Sequence, residues 1–434
     1  MENKILEKAK EFYFMVVAVL MYYFLNEYID LGLYVTFRHA FAFLLFVSAT
    51  LDFLLKPNIA RGFTAFKDAC VFSAPLLVTT VVSMFIWFMG KVDVSVISRG
   101  FSSTFVYVNM LSFALGAGAL LYIFGEKGIW YNLVAILTAN ILMIVTIIIE
   151  NGLGNYFSEF VTLVVTFADV TGDIIIKAEV HELAFCLGAY MIYMLIKPKK
   201  NIAYFILLFL TLFCFLSAFK RIAMIAIAIA LVFGYILKFV ARYNKKTATN
   251  LITILSIIVI VMLIGYVALI KMDIFALLED AGINTSGRVG IYNAVDEFYE
   301  FNPGFLGNGI GFVTYQLNTF IKIGVASIHN EFLQNYIDLG FWGFIIWLVS
   351  MTLVRVWYFG RNGNVESAII TFSLTLYLII ASSTDNTMNY PLLTGTLAMI
   401  MMGNSFGKNV RSMETKIFGC VSDANKEKEM DSLL

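Results

Sequence analysis

Charged residues are scarce in this 434-residue chain: 14% of positions, split evenly between 30 Lys and Arg and 30 Asp and Glu. Soluble domains carry about 25%, so the shortage excludes an ordinary water-soluble globule. The zero net charge leaves no basic character for binding nucleic acid. Of the four cysteines, Cys70, Cys186 and Cys214 sit in apolar runs and Cys420 lies in a polar tail. With no CxxC or other paired spacing, neither a disulfide framework nor a thiolate metal site is expected. His39, His181 and His329 are the only histidines and are far apart in sequence, so a histidine metal centre would need carboxylates from distant helices. No metal and no cofactor is expected.

Apolar residues fill the space that charge leaves. Hydrophobic residues make up 60% of the chain and aromatic residues 16%, in runs long enough to cross a bilayer. The sequence therefore predicts an all-α, polytopic membrane protein. Windows of about 20 apolar residues fall at 12–29, 35–55, 69–90, 103–124, 129–149, 178–196, 201–219, 222–240, 250–270, 332–354, 365–384 and 389–406, which makes about twelve transmembrane helices. The first follows MENKILEKAKE with no small-residue cleavage site, as expected of an uncleaved helix. Segment 156–172 is apolar but short, with Glu159 and Asp169, and reads as interfacial or re-entrant.

With both termini cytoplasmic, 21 of the 30 Lys and Arg fall on the inner side, as the positive-inside rule requires. The nine outside are Arg38, Lys91, Arg99, Lys177, Lys220, Arg221, Lys271, Arg288 and Lys322, which the rule disfavours there. The chain divides into nine helices over 1–270, an outer loop over 271–331, three helices over 332–407 and a cytoplasmic tail over 408–434. Residues 271 to 328 far exceed an ordinary connector. Val289, Tyr292, Val295 and Tyr299 recur at helical spacing there, followed by the glycine-rich NPGFLGNGIGF, so the loop is expected to hold amphipathic helix rather than disordered chain.

Four features stand out from the apolar background. Lys220 and Arg221 form a basic outer tip, read either as snorkelling helix-end anchors or as a grip on a phosphate headgroup. Arg288 opens the loop helix, with Ser286 or Thr285 as the expected cap; a cation there opposes the helix dipole and calls for a compensating anion or ion pair. Asn330, Glu331, Gln334, Asn335 and Asp338 form one face of the tenth span, which implies a water-filled cavity or a bundle-interior site. His329 heads that stripe, either as a hydrogen-bonding residue at a helix start or as a base that takes a proton from a hydroxyl near pH 7. Glu179, His181 and Glu182 open the sixth span as a weaker candidate.

The order of SAFKRIAMIA, a long outer loop with SGR near its start, GNGIGF, and HNEFLQNYIDLGFWGF resembles the O-antigen ligase and O-antigen polymerase superfamily over roughly residues 200–360. The first half resembles it only in hydropathy. The resemblance implies a GT-C-like fold with an extracytoplasmic catalytic loop between the ninth and tenth spans. It implies transfer of a glycan from a polyprenyl diphosphate carrier to a sugar hydroxyl, with no obligatory metal. Carried over, it makes Arg221 and Arg288 the diphosphate-binding arginines and His329 the catalytic histidine, and matches Gly309 and Gly311 to the glycine-rich turn. Phe-Lys precedes Arg221 where members often have a small or hydroxyl residue, which raises the question of a shared phosphate role for Lys220. Asn330, Glu331, His181 and Glu182 complete the expected substrate-binding set, HELAFCLG being a loose match to a segment of polysaccharide polymerases.

The expected function is polymerisation of undecaprenyl diphosphate-linked oligosaccharide repeat units, with inversion, at the outer face of a bacterial cytoplasmic membrane. Beside the bilayer and the lipid-linked donor, flippase and chain-length regulator proteins are the candidate partners. A ligase that passes the glycan to a lipid or protein acceptor is the nearest alternative. A lipid-linked sugar flippase or transporter fits the span count too, but transporters usually show paired halves, and the long loop belongs to one half only.

Overall fold

The computed structural model describes residues 2–23, 34–89, 94–166, 181–218, 220–282, 287–321, 328–362 and 364–431; side chains 2–3, 34–37, 94, 99, 101–109, 166, 181, 320–321, 362 and 417–431 are not described. Among the described residues there is no strand. The helices are α1 (Glu2–Tyr23), α2 (Tyr34–Leu55), α3 (Ile59–Phe72), α4 (Ala74–Phe88), α5 (Val94–Phe124), α6 (Gly128–Asn151), α7 (Leu153–Thr166), α8 (His181–Ile196) and α9 (Ile202–Ala218). They continue with α10 (Arg221–Tyr243), α11 (Lys245–Lys271), α12 (Ile274–Asp280), α13 (Arg288–Val295), α14 (Phe312–Gln316), α15 (Glu331–Val349), α16 (Arg355–Asn362), α17 (Val365–Ser382) and α18 (Pro391–Asp431).

Six helical stretches are long and apolar enough to cross a membrane: 38–55, 110–151, 221–243, 245–271, 331–361 and 365–382. A seventh is added if α3 and α4, bent by 57°, count as one span. Twelve were expected, and this count is of the described residues alone. The expected span at 12–29 leaves them after Tyr23, behind charges that crowd the first ten residues of α1. The spans expected at 103–124 and 129–149 fall in one 42-residue stretch, which turns at Gly125 with φ 63. Helices α8 and α9 are described over 16 and 17 residues, and the residues just before α8 and just after α9 lie outside the described ones. The expected interfacial segment 156–172 is the short α7 as far as Thr166, beyond which it leaves the described residues.

Packing follows side-chain size. Ala223, Ala226, Ala230 and Gly234 recur every three or four residues on α10 and are buried or in close contact. This small stripe lets α10 approach α17 closely. A Cβ at Gly234 would press on Ser373 of α17 and Ile196 of α8. The opposite side of α10 leaves Ile225, Val232 and Ile236 exposed, as lipid-facing residues should be. Buried polar groups are matched in pairs: Tyr22 Oη donates to Asn132 Oδ1 at 2.7 Å, and Asn132 Nδ2 to Tyr190 Oη at 2.9 Å, joining α1, α6 and α8. The break between α3 and α4 is compensated similarly. Arg355 Nε donates to the Phe72 carbonyl at 2.7 Å and its guanidinium lies 4.2 Å over the Phe72 ring, placing a cation at a helix C-terminus where the dipole favours one.

The helix expected within the loop is present as α13, with Tyr292 and Val295 buried and Tyr299 buried just beyond. Its N-cap is Gly287 with φ 74, whereas the caps expected at 285 and 286 lie outside the described residues. The loop is tied to the end of α11 by Lys271, whose Nζ meets Asp296 Oδ1 at 2.7 Å and lies 4.7 Å over the Tyr299 ring.

Candidate functional site

The start of α15 organises one end of the bundle. Asn330 is its N-cap: Oδ1 accepts from Leu333 N at 3.1 Å, as capping residues do. The same side chain donates through Nδ2 to Tyr266 Oη and Tyr292 Oη, each at 3.0 Å. Fully buried, Asn330 thereby clamps the start of α15 to α11 and to the loop helix α13. Burial raises the Tyr292 phenol above its ordinary value, so it remains protonated. His329, immediately before, has φ 49, in the left-handed region that costs a non-glycine residue. That backbone is held by the buried anchors on either side, Ile328 and Asn330.

Opposite lies the connection between α17 and α18, residues 383–390, which sequence reasoning passed over. Glu331, 2% exposed, fixes it: Oε2 accepts from Met388 N at 2.8 Å and Oε1 from Asn389 N at 3.0 Å. Ser382 Oγ and Thr387 Oγ1 meet at 2.6 Å. Three expected site residues then converge on this connection. Asn386 Nδ2 lies 3.5 Å from His329 Nδ1. Arg288 Nη2 donates to the Thr384 carbonyl at 3.2 Å. Lys220 Nζ lies 3.5 Å from Asp385 Oδ2, while Asp385 Oδ1 accepts from Tyr390 Oη at 3.0 Å. Asp385, Asn386 and Tyr266 are contact residues that no motif marked. The one available signal was charge: Asp385 is an acid at the end of an apolar helix.

The remaining expected residues divide. Arg221 opens α10 beside Lys220 and is exposed. Glu182 pairs with Arg38, Oε1 to Nη1 at 3.0 Å, and Oε2 accepts from Leu392 N at 3.4 Å, so it supports the connection from beneath. His181 begins α8, and its side chain is outside the description. Gly309 and Gly311 are not drawn into this cluster. With φ 84 and 87, they let the glycine turn lie flat on α15, where Gly309 N donates to the Asp338 carbonyl at 2.7 Å and Gly311 N to Asp338 Oδ2 at 3.3 Å. Gly340, with φ 71 and ψ −179, bends α15 at that contact. The polar stripe is therefore largely a set of internal clamps: Glu331 on the 383–390 connection, Asp338 on the glycine turn, and Asn335 back onto the Glu331 carbonyl at 2.7 Å.

Chemically, one end of the bundle brings Lys220, with Arg221 next to it in sequence, and Arg288 to the same connection as the imidazole of His329. Such an arrangement can hold a phosphate and present a proton acceptor to a hydroxyl. No curated protein matches the chain. The family model described as O-antigen ligase matches residues 205–348, about a third of the chain, running from α9 through most of α15 and including Arg221, Arg288 and His329. Residues 205–348 of this membrane protein thus match the O-antigen ligase family model, which supports the likeness to the O-antigen ligase and polymerase superfamily.

Proposed function

We propose that the chain is a polymerase of lipid-linked glycans: a metal-independent, inverting glycosyltransferase that joins undecaprenyl diphosphate-linked oligosaccharide repeat units into a surface polysaccharide. It would work at the outer face of a bacterial cytoplasmic membrane, in a twelve-pass, GT-C-like topology with both termini inside. The observation that carries this reading is the convergence of Arg288, Lys220 and His329, from three distant segments, on the 383–390 connection.

In this mechanism the acceptor hydroxyl attacks the anomeric carbon from the face opposite the diphosphate. The new C–O bond forms as the bond to the diphosphate oxygen breaks, and the hydroxyl proton passes to His329. Arg288, Arg221 and Lys220 bear the charge that develops on the leaving diphosphate. The Asn386 amide, its Nδ2 3.5 Å from Nδ1, orients the imidazole ring. The tyrosine pair and Asn330 position the histidine without touching substrate.

The printed family description favours a second reading, a ligase that passes the finished glycan to a separate acceptor. Purified protein incubated with lipid-linked repeat unit alone separates the two. A ladder of products is expected of the polymerase. Product that appears only when a lipid or protein acceptor is added would establish the ligase, and absence of transfer under both conditions would leave a flippase or transporter.

A further inference from the structure

At the end of the bundle opposite His329, a polar cavity of about 550 Å³ opens between α3, α16 and α18. Its placement follows the course of the chain: residues 331–361, bent at Gly340, run from the histidine end to Arg361. The floor is Asp68, fully buried, whose Oδ1 accepts from Tyr358 Oη at 2.8 Å and Oδ2 from Asn409 Nδ2 at 2.9 Å. The rim carries Lys67, Arg361 and Lys416, and among the described residues Asp68 is the only acid in the lining. Two of these cations are drawn onto aromatic faces: Lys67 Nζ is 5.4 Å from the Tyr358 ring centre and the Arg361 guanidinium 5.0 Å from that of Trp357. Trp357 itself is 59% exposed, as aromatic residues at the membrane surface are.

A merely solvated basic face needs neither a desolvated carboxylate at its base nor cations drawn onto rings. Three cations at the mouth suit a phosphate, and the carboxylate beneath them, with no exposed surface of its own, fixes Tyr358 and Asn409 in the wall. Basic pockets between membrane helices hold anionic headgroups in this way. We infer that this cavity binds the headgroup of an anionic phospholipid, its phosphate on Lys67, Arg361 and Lys416. The bound lipid bridges α3, α16 and α18, far from the reacting end.

The test uses the purified full-length protein in mixed micelles, with bound lipid counted by native mass spectrometry and thermal stability followed in parallel. Wild type is expected to retain phosphatidylglycerol over phosphatidylethanolamine, and to gain thermal stability from it. The combined Lys67→Gln, Arg361→Gln and Lys416→Gln variant is expected to lose that retention at least tenfold, since each interfacial cation contributes roughly a fivefold factor. A control carrying Lys56→Gln and Lys127→Gln, which lie outside the cavity, should keep it. Unchanged retention in the triple variant, or equal loss in the control, overturns the site. Protection by inorganic phosphate equal to that by the lipid overturns the lipid assignment in favour of a soluble anion.

Discussion

The guanidinium of Arg288 donates to the backbone carbonyl of Thr384 at 3.2 Å, across 96 residues of sequence. The bond joins the loop helix α13 to the connection between α17 and α18, so the position of one phosphate-binding candidate is set by the same short segment that contacts His329 and Lys220.

Arg288→Lys keeps the charge but loses the planar fork that serves a carbonyl and a diphosphate together. Turnover should fall roughly 10²-fold, the scale of removing one donor to a developing oxyanion, with membrane yield and melting temperature little changed. Single-turnover transfer assays check this, and unaltered polymer length and rate would return Arg288 to a solvated loop residue.

Asp385 competes with any anion for Lys220. Asp385→Asn keeps the acceptor oxygen for Tyr390 and removes the charge, so the donor should bind a few-fold tighter, the scale of a partly exposed ion pair. Adding Lys220→Ala should abolish that gain. Arg221→Ala alone should weaken donor binding more than Lys220→Ala alone, whereas equal mild losses would favour snorkelling for both. Donor titrations on the four variants decide.

His329→Ala should lower the chemical step by roughly 10²–10⁴-fold, the range of general acid-base catalysis, with donor affinity retained. His329→Gln should stay near the alanine level. His329→Gly is the structural control: it relieves the left-handed backbone, worth about 1–2 kcal/mol, against about 0.5–1 kcal/mol of extra chain entropy. Its melting temperature should equal or exceed wild type while its rate stays at the alanine level. A glycine variant that is both unstable and slow would make the histidine a structural residue.

Glu331→Gln replaces one of two carboxylate oxygens with a donor facing a backbone N–H. The cost should be about 1–3 kcal/mol of stability, as for a buried group left unsatisfied, and thermal melting reads it directly. Activity should fall in proportion to the loss of order in the 383–390 connection; full stability with no activity would instead show Glu331 acting on substrate.

Gly309→Ala would place a methyl group against the Trp87 indole at φ 84. Two costs combine there, overpacking and a disfavoured backbone, for about 2 kcal/mol or more. Donor affinity measured on the folded fraction should be unchanged, because this turn docks on Asp338 rather than among the cations.

Helices and the loop's internal order were legible because period and apolarity are local properties. Tyr292, Val295 and Tyr299 recur at the spacing of a buried face, and that is the face found buried. The importance of Arg288 and His329 could be marked by their positions in the chain, but their meeting place could not. Residues 383–390 read as an ordinary polar tip, since nothing local reveals that Glu331 will hold its amides or that Asp385 will face Lys220. The break after Phe72 was similarly obscured: Pro75 marks a helix start, yet an apolar window runs through it without interruption. The stripe Asn330 to Asp338 was read as facing a cavity or the bundle interior; Asn330, Glu331, Asn335 and Asp338 are bonded within the protein by partners that only the fold supplies, whereas the buried Gln334 Oε1 has no hydrogen-bond partner among the described residues.

Glu331 holds its end of the chain against α18 through two backbone amides, and this makes the centre divisible. A cut in the link between α16 and α17 would leave His329, Arg288 and Lys220 on one fragment, and the segment that receives them on another composed of little more than α17 and α18. Neither fragment would hold a complete centre. Their reunion in a membrane would restore it without a covalent join, so catalytic output from the two co-expressed pieces would report helix association rather than chain continuity.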